Sequence, residues 1–89
     1  MNKYAHVDYS KLPDYMRGGA KRYIEDRIAP GGFMTAVLEN NLVEAASRAD
    51  TTNINCLKEW AMWLYNECPA KAWGSPAKVE AWLNGKEVT

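Results

Sequence analysis

Apolar residues return at helical spacing along three stretches of the chain, and the residues between them carry the marks of helix ends. The first stretch opens at Pro13, a favoured first-turn residue, and runs to about Arg27, with Met16, Ala20, Tyr23 and Ile24 on its inward side. The second starts at Phe33 and brings Met34, Leu38, Leu42, Ala45 and Ala49 into one sector. It reads as a single central helix. Pro30 halts whatever precedes it, and Gly31 and Gly32 leave the first amides uncovered by side chains. The third stretch follows the capping cluster Asp50-Thr51-Thr52-Asn53 and runs to about Glu67, ahead of Pro69, with Ile54, Leu57, Ala61, Leu64 and Cys68 as its inward stripe.

A short fourth helix is marked by Ser75 as cap, Pro76 as first residue and Gly85 after the end, with Val79, Trp82 and Leu83 facing inward. Residues Met1 to Ser10 alternate loosely and have no second strand-like run to pair with, so they read as an extended arm. The pattern therefore predicts an all-α fold, a compact bundle of about four helices with an extended N-terminal arm, and a homo-oligomer is expected. Its organisation is an arm over 1–10, a single helical domain over 11–85 and a tail over 86–89.

Two features strain this simple picture. Gly18 and Gly19 sit inside the first helix, where each costs about 1 kcal/mol relative to alanine, which points to a close approach by a second helix, by a ligand or partner backbone, or to a bend. Trp60, Trp63 and Cys56 fall on a flank of the third helix away from its inward stripe. A small bundle seldom buries both faces, so Trp60 and Trp63 are expected at a subunit or partner contact, unless the chain that follows covers them. Tyr4 and Tyr9 of the arm are expected to pack on the body or on a neighbouring subunit. Trp73 either plugs the gap between the third and fourth helices or stacks on a ligand ring.

Composition narrows the function more by exclusion than by assertion. At 89 residues, 47% hydrophobic and 25% charged, the chain makes one packed domain of modest stability, which self-association would help. Its 11 basic and 11 acidic residues balance, which argues against a protein built to hold a nucleic-acid backbone. Cys56 and Cys68 lie 12 residues apart on one predicted helix, too far to bridge, and the lone His6 leaves a Cys/His metal site short of ligands. No secretory or membrane-spanning segment is visible, so the cytosol is the expected compartment, and no cofactor is expected.

An enzyme is the least supported class, because the carboxylates are spread along helix faces among basic neighbours and Cys56 has no base in sequence reach. A helix-turn-helix built from the central and third helices would offer Thr51, Thr52, Asn53, Asn55 and Lys58 to a groove. The same helix would also present Trp60, Met62 and Trp63, which suit apolar packing better than phosphates. Two binding readings remain. The uncovered amides of Gly31 and Gly32, with Arg27 at the preceding helix end and Asn41 and Arg48 bordering the core, make a receiving site for an anion, with Trp73 against a ring. The plainer alternatives are a simple turn at Pro-Gly-Gly, capping by Arg27, and mutual bonding by Asn41 and Arg48.

The pattern P-G-G-F-x-T-A-V-L-x-N-x-L-x-E-A-x-x-R-A-D-x-x-N, then W-L-Y-N-x-x-P and W-G-S-P-x-K-V-x-A-W, resembles a family of short proteins encoded by bacteriophages and prophages. The match covers Leu12 to Leu83 and departs at Ala29, where relatives are expected to carry proline. The resemblance carries over no functional residue. It implies a setting in which a small phage protein binds a host component stoichiometrically. The expected function is counter-defence by sequestering a small anionic signalling molecule such as a nucleotide; the alternative is a protein–protein inhibitor of a host defence or host enzyme complex.

Overall fold

In the computed structural model, which describes residues 3–85, the chain folds into six α-helices and one turn of 3-10 helix, with no strand among the described residues. The helices are α1 Asp14–Asp26, α2 Gly32–Leu38, α3 Leu42–Arg48, α4 Thr51–Ile54, α5 Leu57–Asn66 and α6 Pro76–Leu83, with the 3-10 turn at Ala70–Ala72 before α6. The tail at 86–89 lies outside the described residues.

The central helix of the sequence reading is broken in two. Asn40 takes a positive φ of 62°, and the amides of Asn40 and Asn41 fold back onto the carbonyls of Val37 and Ala36. That pairing closes α2 with a left-handed residue, a conformation asparagine tolerates better than most. Asn41 then caps the next helix, its Oδ1 accepting from the amide of Glu44 at 3.2 Å. Re-aiming α3 in this way turns Leu42 out to solvent while Ala45 stays buried. The third predicted helix is likewise split into α4 and α5 by a break at Asn55 and Cys56. Four predicted helices thus become six because two long apolar periods each contain a polar hinge.

Helix ends otherwise follow the sequence closely. Asp50 Oδ1 accepts from Asn53 N at 2.7 Å to start α4, and Ser75 Oγ accepts from Lys78 N at 3.2 Å to start α6 with Pro76 in its first turn. Gly85 follows α6 with φ 73°.

The core takes Ala20, Tyr23 and Ile24 from α1, five residues of α2, and Trp60, Trp63 and Leu64 from α5. Here the structure corrects the expected face of the third helix. Trp60 and Trp63 are only 1% and 3% exposed, whereas Ile54 and Ala61 of the expected inward stripe lie at the surface. Burying an indole removes far more apolar area from water than burying alanine, so the helix rotates its two tryptophans inward. Trp60 stands edge-on to Phe33 with ring centroids 5.4 Å apart and to Trp63 at 6.0 Å. In this fold both rings belong to the core.

The arm is laid on the body. Val7 is buried, Tyr4 packs edge-on to Trp82 at 5.5 Å and Tyr9 lies against Trp63 at 6.0 Å, so both tyrosines serve packing within the chain. The C-terminal segment is fastened by two buried hydrogen bonds. Tyr23 donates its hydroxyl to the carbonyl of Ala72 at 2.7 Å, and Trp82 Nε1 donates to the carbonyl of Tyr23 at 2.9 Å. Gly19 presents no side chain to α2, and a Cβ there would stand 3.4 Å from Met34 Cε. At Gly19 the room is taken by the end of the flexible Met34 side chain at an ordinary contact distance, and Gly18 lies under the guanidinium of Arg22.

Candidate functional site

The residues singled out from sequence do not converge on one place. Arg27, itself at φ 56°, stacks its guanidinium on the ring of Trp82 at 3.9 Å from the centroid and donates to the carbonyl of Trp82 at 2.9 Å. It ties the end of α1 to the end of α6. Asn41 is committed to capping α3, and Trp73 packs half-buried against the core, with the neighbouring Gly74 amide donating to the carbonyl of Leu38 at 2.8 Å.

Gly32 and Arg48 do come together, while Gly31 lines a separate recess. The side chain of Arg48 lies across Gly32, so that a Cβ there would meet Nη1 at 2.9 Å. The same guanidinium is ion-paired with Glu44 one helical turn back, and the recess it lines, about 340 Å³, also contains Glu39. Two carboxylates beside one arginine set a poor field for an anion. On the other side of Pro30 a recess of about 300 Å³ is lined by Tyr15, Gly19, Arg22 and Ile28. Arg22 has no ion-pair partner among the described residues.

A different surface was hidden from the sequence. Between α3 and α5 runs a groove of about 90 Å³ whose walls are Val37, Leu42, Ala45, Leu57, Ala61 and Leu64, with Trp60 at its floor and only Asn40 and Asn41 polar. Leu42 is 70% exposed, and two chain neighbours of groove residues, Val43 and Tyr65, are each 80% exposed. Apolar side chains of this size normally gain about 1.5–3 kcal/mol each from full burial, which these three forgo. The signal in the sequence was Asn40-Asn41, a pair able to end one helix and cap another. Read that way, it takes Leu42 off the inward sector.

No group of three or more possible metal ligands occurs among the described residues, and none of their helices is long and apolar enough to cross a membrane. Comparison with protein-family models, with curated proteins and with solved structures finds no match.

Proposed function

We propose that this is a small non-enzymatic binding protein that docks on a partner protein through the groove between α3 and α5 and acts by occupying it stoichiometrically. The observation that carries the reading is the outward display of Leu42, 70% exposed, on the wall of an uncharged apolar trough. Ala45 and Ala61 keep the trough open and Leu42 projects from its wall, which is the relief an apolar helix or loop of a partner can lock into. In the setting that the phage resemblance implies, the partner is a protein of host defence or a host enzyme complex.

The test uses Leu42→Asp, which changes an exposed side chain and leaves the core untouched. A partner captured by the wild-type protein is identified, purified and titrated. The variant is expected to bind about ten- to a hundredfold more weakly, the loss of one buried leucine. Undiminished binding by a folded Leu42→Asp protein overturns the groove. Native mass measurement adds an independent check: a dimer that this variant converts to monomer assigns the face to a second copy instead.

Sequestration of a small anionic molecule, such as a signalling nucleotide, is a second reading favoured by one observation. Arg22, without an ion-pair partner among the described residues, lines the recess beside Pro30 and Gly31. A nucleotide bound there raises the thermal stability by about 2.7 kcal/mol at a hundredfold excess over Kd, and Arg22→Ala removes the effect. Absence of a shift across a panel of cyclic and ADP-ribose-type nucleotides excludes it.

A further inference from the structure

Neither reading uses the C-terminal end of α6, where Asn84 is followed by Gly85. Of the seven asparagines in the chain, Asn84 alone precedes a glycine. The backbone nitrogen of the residue after an asparagine can attack the asparagine's own carboxamide carbon, and the main obstacle is that residue's side chain. Glycine has none.

The fold leaves this pair open. Asn84 is exposed, and its carboxamide is in no hydrogen bond among the described residues. A Cβ on Gly85 would meet nothing within 4 Å, and the Gly85 amide donates only to the carbonyl of Trp82, at 3.1 Å. Ring closure requires ψ of Asn84 to swing away from its value of 4°, which breaks that bond. A helix end opens in this way at little cost. The other asparagines of the described residues are guarded. Asn53 is buried with its Oδ1 on Trp60 Nε1, and Asn41 Oδ1 holds the amide of Glu44. Asn40, Asn55 and Asn66 are followed by Asn41, Cys56 and Glu67, which bring side chains to the position that is bare in Gly85.

We propose that Asn84-Gly85 is a site of spontaneous chemical modification, at which Asn84 becomes aspartate or isoaspartate. The Gly85 amide nitrogen gives its proton to hydroxide and bonds to Asn84 Cγ; the bond from Cγ to the carboxamide nitrogen breaks, and that nitrogen leaves as ammonia with a proton from water. Water then opens the cyclic imide. Addition at Cγ gives aspartate, and addition at the backbone carbonyl gives isoaspartate, whose main chain runs through Cβ and Cγ. Either product sets a carboxylate at the negative end of α6, beside the Trp82 carbonyl that receives Arg27. The site shares no residue with the groove between α3 and α5, so its outcome leaves the docking reading standing.

The test incubates the folded full chain in mildly alkaline buffer, with the same chain in urea alongside. Each asparagine is followed by peptide mass spectrometry, and isoaspartate by an enzymatic assay. Asn84 is expected to convert before every other asparagine, at a rate within about tenfold of that in urea, because the last turn of a helix frays readily. Asn84→Gln, a change at an exposed position, is expected to abolish the early conversion. No conversion of Asn84 in the folded chain overturns the proposal, as does earlier conversion of another asparagine or an isoaspartate yield unchanged in Asn84→Gln.

Discussion

Trp60 Nε1 donates to Asn53 Oδ1 at 3.0 Å, and both side chains are buried. Asn53 is the buried polar residue among the described residues, and its backbone amide is in turn held by Asp50 at the start of α4. One residue therefore joins the short α4 to the centre of α5. Asn53→Ala leaves the indole N–H buried without its acceptor and is expected to destabilise the fold by about 1–3 kcal/mol. Chemical denaturation of the single and double variants with Trp60→Phe measures this. The two effects should sum to more than the double variant shows, and strict additivity would mean that the bond contributes nothing.

Arg27 and Trp82 form the second cross-link. Because the guanidinium both stacks on the ring and donates to the carbonyl, lysine cannot replace it fully. Arg27→Ala is expected to cost about 0.5–2 kcal/mol, and Arg27→Lys to recover only part. The melting temperatures of the two variants decide it.

Asn40 holds a left-handed conformation that closes α2. A β-branched side chain is strained there, so Asn40→Val is expected to lower stability by about 1–2 kcal/mol, whereas Asn40→Gly should be tolerated. Equal melting of the two variants would show that α2 and α3 do not need this turn.

Asp50 gives a pH signature. Its carboxylate accepts the Tyr15 hydroxyl at 2.5 Å and the Asn53 amide, and these bonds, the first most of all, hold its pKa below the ordinary value of 3.8. The stabilisation is complete above that ordinary value and is lost as pH falls through the lower folded-state value. Asp50→Asn keeps a capping side chain but cannot titrate, so its stability should depend less on pH over this acid range than that of the wild type. Parallel acid titrations followed by circular dichroism provide the comparison.

The two cysteines should separate kinetically. Cys68 is buried and burial pushes its thiol pKa well up, while Cys56 is half-buried. Alkylation of the native protein is expected to modify Cys56 first and Cys68 only on unfolding, by mass spectrometry of quenched samples.

The sequence by itself determined the helical class, the Ser75-Pro76 and Asp50 helix starts and the inward side of α1. These are local matters: a cap or a period of 3.6 acts within a few residues and needs no knowledge of what lies opposite. Only the tertiary structure decided which way the long apolar stretches would break and turn. Asn40 and Asn41 could cap or line a pocket, and Trp60 and Trp63 could face a partner or the core. Burying two indoles against Phe33 and Tyr9 settled the orientation of α5, and the left-handed turn at Asn40 put Leu42 outside. The same global choice dispersed Arg27, Asn41 and Trp73 and left Arg48 with Gly32, because side chains converge according to how helices pack and not by their spacing along the chain.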